Sequence, residues 1–103
     1  MKTLTFDING QSLAKTGDFS NIIRGTKGYL KCRFNFTGND WNRCKAVAVF
    51  SRLKDEYPVA IGPDRTCIVP DELTDYPVFK LKVVGAKKDY RIITNSVLIE
   101  QEV

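Results

Sequence analysis

The chain has 103 residues, 43% of them hydrophobic and 27% charged, the size and balance of one globular domain spanning residues 1–103. Sixteen Lys and Arg against twelve Asp and Glu give a net charge of +4, which suits an acidic partner but is ordinary for a small domain. Histidine is absent, which excludes Ser-His-Asp and Cys-His nucleophilic sites and every His-bearing metal site, and no apolar run approaches the roughly 20 residues of a membrane span.

Period-2 alternation dominates from the first residues. "TLTFDI" places Leu4, Phe6 and Ile8 on one face and Thr3, Thr5 and Asp7 on the other, the pattern of a half-buried antiparallel strand. Asn9-Gly10 follows and predicts a tight type I′ hairpin turn into "QSLAK". "YLKCRFNF" alternates Leu30, Cys32, Phe34 and Phe36 against Lys31, Arg33 and Asn35. "KAVAVFSR", Lys45 to Arg52, is nearly continuous in apolar residues and reads as a central strand covered on both faces. "YPVAIG" and "RTCIVP" flank the turn "GPD" at Gly62 to Asp64, and "VPDELTDYP" has room for one helical turn but reads first as the connection crossing between two sheets. "VFKLKVVG" sends Phe79, Leu81 and Val83 inward with Lys80 and Lys82 opposite, and the tail supplies Tyr90 to Thr94 and Val97 to Glu102, broken or bulged near "TNS". Short strands at intervals of about 8–15 residues predict an all-β, immunoglobulin-like antiparallel β-sandwich with Greek-key connections and about 7–8 strands.

Candidate chemistry is sparse. Cys32, Cys44 and Cys67 make an odd count with no CxxC pair. They read as free thiols acting as small hydrophobes, with a Cys32–Cys67 bridge left open, and neither a metal nor a cofactor is expected. Asp55, Glu56, Asp64, Asp71, Glu72 and Asp75 all fall in turn contexts, where carboxylates are ordinary turn formers rather than acid–base pairs. "GTKG", Gly25 to Gly28, lacks the spacing of a phosphate-binding loop. Lys31, Arg33, Lys80, Lys82 and the basic group Lys87, Lys88 and Arg91, interleaved with Tyr29 and Tyr90, set up the alternative of a single-strand nucleic-acid surface, although lysines on strand faces also guard against aggregation. "MKTLTFDING" has no apolar core of a signal peptide, so the expected compartment is the cytoplasm.

The only tryptophan, Trp41, sits after the turn residues "TGND" and before the apolar strand. Its ring either closes the end of the sandwich, with the indole N–H on a backbone acceptor, or stands exposed as a partner anchor with Arg43 and Lys45 beside it.

The order "FDINGQSL", "YLKCRFNF", "DWNRCKAVAVF", "CIVPDEL", "FKLKVVG", "RIITNSVLI" resembles small all-β proteins of tailed phages and prophages of Gram-positive bacteria, in particular tail- and baseplate-associated domains. The landmarks are Trp41, Ala48 to Phe50, Cys67 to Leu73, Gly85, and Arg91 to Asn95, with Ile93 where the pattern has Thr. The resemblance implies a non-enzymatic module for assembly or adhesion, with other tail proteins or a second copy as partner. On that reading Trp41, Arg43, Lys45, Tyr57, Tyr76 and Tyr90 are the candidate protein-binding residues, and the surface is expected to act through aromatic and cationic anchors. A small phage-encoded inhibitor of a host enzyme or defence protein is the alternative from a different class.

Overall fold

A computed structural model describes the whole chain, Met1–Val103. Nine strands follow in order: β1 Lys2–Asn9, β2 Ser12–Thr16, β3 Leu30–Thr37, β4 Lys45–Arg52, β5 Asp55–Ala60, β6 Thr66–Ile68, β7 Val78–Lys87, β8 Tyr90–Ile93 and β9 Val97–Glu100. One sheet has the order β2-β1-β3-β6 and the other β5-β4-β7-β8, with β9 also on β7. The two pack face to face around a core that includes Leu4, Phe6, Ile8, Phe34, Phe50, Phe79, Leu81 and Val83, all essentially inaccessible to water. The alternation therefore assigns the inner faces of β1, β3 and β7 correctly, because side chains on a pleated strand can reach only one face at a time.

Three local features differ from expectation. First, β1 runs parallel to β3, from Lys2 opposite Leu30 to Asn9 opposite Thr37, so the first sheet is not purely antiparallel. Alternation is identical for parallel and antiparallel neighbours and cannot report direction. Second, the hairpin between β1 and β2 turns on Gly10-Gln11, with Asn9 opposite Ser12. Only Gly10 has a positive φ there, +58°, which fits a II′ rather than a I′ turn. Third, β4 is covered on one face only. Ala48 and Phe50 are buried, whereas Val47 and Val49 on the other face are half-exposed.

The expected break in the tail is present. Leu81 pairs with Val97 and Val84 with Ile93, so four steps along the tail oppose three along β7. β8 and β9 are thus two halves of one strand separated by a bulge. Thr94 fills that gap: its N–H donates to Val83 O at 3.0 Å and its hydroxyl accepts from Val83 N–H at 2.9 Å. Asn95 turns outward to the other sheet. Its side-chain oxygen accepts from Leu13 N–H at 2.7 Å, and its amide donates to Leu13 O at 3.1 Å. One side chain thereby imitates a β-pair and clips the β2 edge to the β8–β9 edge. Lys15, which donates to Leu98 O at 2.9 Å, and Gln11, which donates to Ile93 O at 3.1 Å, extend the seam.

The single helical turn, Asp71–Leu73, lies on the crossing from β6 in one sheet to β7 in the other. Residues 17–29 form no strand but lay Ile22 into the core and Phe19 edge-on against Phe6, with ring centroids 5.3 Å apart. The three cysteines are free. Cys32 and Cys67 are buried opposite each other on β3 and β6, and the Cys32 thiol is pushed well above its ordinary value of 9.0 by its hydrogen bond to Cys67, then by burial.

Trp41 closes one end of the sandwich. Its indole N–H donates to Gly10 O at 2.8 Å, its ring lies 5.2 Å from Phe36, and it is 3% exposed. The other side of the ring rests on Gly85, where a Cβ would lie 2.5 Å from Trp41 Cζ3. Gly85 is therefore required by space rather than by its backbone angle. Trp41→Ala is expected to cost about 3–5 kcal/mol as a buried large-to-small change, and Gly85→Ala about 1–3 kcal/mol through overpacking against a ring that cannot move aside. Thermal denaturation of both variants checks this, with Lys54→Ala, at an exposed turn, expected to leave the midpoint unchanged.

Candidate functional site

The outer faces of the two sheets are unlike each other. On the first sheet Thr3, Thr5 and Asp7 of β1 lie beside Lys31, Arg33 and Asn35 of β3, a polar face suited to water. On the second, the registers set Val47 of β4 beside Ala60 of β5 and Val84 of β7, and Val84 beside Ile93 of β8. The next rows add Val49 with Pro58 and Lys82, then Ser51 with Lys80 and Leu98. The result is an apolar band edged by Lys80 and by Lys82 paired with Glu56, on the face that the near-continuous apolar sequence of β4 leads one to expect covered.

At the far end of this face Leu53, Val78 and Leu98 are 86%, 38% and 48% exposed. They line a groove of about 360 Å³ with Pro77, Phe79, Lys80 and Arg52. Leu53 holds a left-handed backbone, φ 55°, at the tip of the β4–β5 hairpin, a conformation that costs a branched residue energy. Beside it the Arg52 guanidinium stacks 3.4 Å over the Tyr76 ring.

At the near end, the loop into β4 and the turn before β6 enclose a second groove of about 580 Å³, lined by Trp41, Arg43, Cys44, Lys45, Ala46, Val47, Ala60, Ile61, Gly62, Pro63 and Arg65. The loop is held from several sides. Cys44 N–H donates to Trp41 O at 3.1 Å, the Tyr90 hydroxyl to Asp40 O at 2.7 Å, and Lys87 Nζ to Asn42 O at 3.0 Å. Desolvation, with the nearby Asp40 and Cys44 charges behind it, raises the Tyr90 phenol above its ordinary value, so the hydroxyl stays protonated as a donor across the neutral range. Asp64 in the facing turn accepts from Thr66 N–H at 3.2 Å and Thr66 Oγ1 at 2.8 Å, and the hydroxyl contact holds its carboxyl below the usual carboxylate range.

The sequence-derived anchors are thus divided. Arg43 and Lys45 are exposed and share the near groove. Trp41 lines the same groove but is buried, which corrects its reading as an exposed anchor. Tyr57 lies opposite Phe50 on the inner side of β5 and packs on the core. Tyr90 packs on the core too, with Lys87 Nζ 4.5 Å over its ring, and Tyr76 stands at the far groove under Arg52. Lys87, Lys88 and Arg91 are exposed at the β7–β8 hairpin. Lys31 and Arg33 project from one sheet and Lys80 and Lys82 from the other, so these cations do not form a single nucleic-acid track. Sequence reasoning missed Val47, Val49, Val84, Ile93 and Arg65. The doubly apolar run of β4 was the one signal that could have exposed the first two.

No group of three or more His, Cys, Asp or Glu side chains converges as a metal site, and no helix is long and apolar enough to cross a membrane. Compared with known proteins, the chain matches no protein-family model, no curated protein and no solved structure.

Burial separates the three thiols. With native protein, a disulfide-exchange reagent is expected to label Cys44, half-buried at the groove, while Cys32 and Cys67 react only after unfolding. Because the folded Cys32 value is raised, its contribution to stability is fully present below the ordinary thiol value and is lost as pH rises through the folded one. Denaturant titrations across the alkaline range should therefore show a loss of stability that Cys32→Ala diminishes.

Proposed function

We propose that the protein is a non-enzymatic binding module of the tailed-phage tail or baseplate type, which docks another protein subunit on the outer face of its second sheet. The observation that carries the binding role is β4. Its sequence is apolar on both sides, yet the fold buries fully only the side bearing Ala48 and Phe50 and leaves Val47 and Val49 half-exposed. A contiguous apolar patch bordered by charge is the ordinary make-up of a protein-docking surface, and Arg52 and Tyr76 at its far end are of the kinds that anchor a partner.

The phage setting is supported by the order of landmarks from Trp41 through Phe50, Pro70, Leu73 and Gly85 to Asn95. The immunoglobulin-like Greek key is supported by the sheet order β5-β4-β7-β8, equivalent to the C′-C-F-G sheet of variable-type immunoglobulin domains, together with crossings between sheets at β3–β4, β5–β6 and β6–β7. In this reading the protein works in the host cytoplasm or on the virion and engages tail subunits or a further copy of itself.

Affinity capture from phage-infected cells, followed by mass spectrometry, is expected to recover tail or baseplate proteins. Recovery of a host nuclease or defence protein instead would move the assignment to an inhibitor using the same face. The double variant Val49→Lys, Val84→Lys is expected to abolish capture while leaving the protein folded, the half-exposed sites letting each lysine carry its ammonium to water along an apolar stem. The same pair of changes on the polar face, Thr5→Lys and Asn35→Lys, should leave capture intact.

A further inference from the structure

From the groove at the Trp41 end we infer a second binding site, for an extended acidic peptide segment in which carboxylates alternate with apolar residues. This rests on the reading of the protein as a protein-binding module and names the chemistry of one partner segment. The groove is lined by apolar residues that include Val47, Ile61 and Pro63, and by three cations, Arg43, Lys45 and Arg65. None of these three cations is in an ion pair, since the pairs in the molecule are Lys27–Asp75 and Lys82–Glu56. No carboxylate lines the groove; the two adjacent in sequence, Asp40 and Asp64, form no ion pair with Arg43, Lys45 or Arg65, and Asp64 is turned to Thr66. Three unpaired cations among apolar lining residues complement a chain with acids on one side and small hydrophobes on the other.

Arg43 and Arg65 occupy left-handed backbone positions, φ 64° and 66°, where Gly or Asn is the easier residue. Long cationic side chains stand at both nonetheless, and both line the same groove. An extended occupant has room because the groove opens on the side of the sandwich where β5 and β6 are sheet edges, opposite the seam closed by Asn95. Nucleic acid fits less well. Single-strand binding relies on exposed rings for stacking, but Trp41 is 3% exposed, and Phe36 packs on Trp41 with the Arg65 guanidinium 4.9 Å over its ring.

Trp41 is the only tryptophan and lies at the groove, so its emission reports occupancy directly. Fluorescence titration and calorimetry of the whole chain would use a short peptide of alternating Glu and Leu, a Lys–Leu peptide of equal length, and an oligothymidylate. Saturable binding of the Glu–Leu peptide alone is expected, weakening with added salt. Arg43→Glu and Arg65→Glu are each expected to lower that affinity about fivefold or more, and Lys31→Glu on the opposite face should not change it. Absence of saturable Glu–Leu binding by both methods, tighter binding of the oligothymidylate, or unchanged affinity in both arginine variants would overturn the inference. The Val49→Lys, Val84→Lys protein separates the two proposals. It should still bind the peptide if the groove is a site in its own right, and a native protein that captures subunits but not the peptide refutes the groove alone.

Discussion

Trp41 is the contact on which the two sheets depend at one end. Its ring touches Phe36 from the first sheet and lies on bare backbone at Gly85 in the second, while its N–H ties down the Gly10 carbonyl between β1 and β2. A side chain that spans three elements fixes their separation, because an aromatic ring in a close-packed interior has no lower-volume arrangement to relax into. The same contact fixes the loop that carries it. With Tyr90 and Lys87 also bonded to that loop's carbonyls, Arg43 and Lys45 are delivered to one place by a framework already ordered. Preorganisation of this kind lowers the ordering cost that a partner would otherwise meet on binding.

The sandwich is asymmetric from side to side. On one side the Asn95 amide joins β2 to the β8–β9 strand, leaving no free edge along most of that seam. On the other, β5 and β6 remain edges. Ile61 N–H donates to Ala46 O, and alternation along an antiparallel pair then turns the backbone of Pro58 outward. The ring occupies a position whose N–H would otherwise invite another strand, so Pro58 blunts the edge of β5 at no internal cost. Strand addition at this edge is thereby disfavoured, and at the proposed groove site specificity would come from Arg43, Lys45 and Arg65 rather than from exposed backbone.

The sequence reveals the fold and the site to different depths, for identifiable reasons. Alternation at Leu4–Ile8, Leu30–Phe36 and Phe79–Val83 was legible because it is local and each inward residue has the same reason to be buried. The parallel β1–β3 pair and the Asn95 clip were not, since both depend on which strands meet across the chain; Asn95 looked like a bulge former and is also a tie between sheets. Tyr57 and Tyr90 have the composition of interface anchors, but hairpin register turns them inward, and that register rests on two-residue turns at Leu53-Lys54 and Lys88-Asp89. Arg65 carries no local signal at all. It joins the groove only because the crossing from β5 to β6 returns the chain to the loop after Trp41.

Charge follows the same division and bears on what the molecule does. The net charge of +4 is too small to define a partner by long-range attraction, and surface charges separated by more than about 10 Å are screened at 0.1 M salt. What discriminates is local placement. On the first sheet, cations alternate with Thr, Asn and Asp and are well hydrated. On the second, Lys80 and the Lys82–Glu56 pair border Val49, Leu98 and Val84, and at the near groove the unpaired Arg43, Lys45 and Arg65 border Val47, Ile61 and Pro63. Covering such an apolar band removes it from water at a gain of roughly 25 cal/mol per Å², whereas the bordering cations gain little unless the covering surface supplies carboxylates. On the proposed reading, the placement of charge would select the partner and apolar contact would supply the affinity.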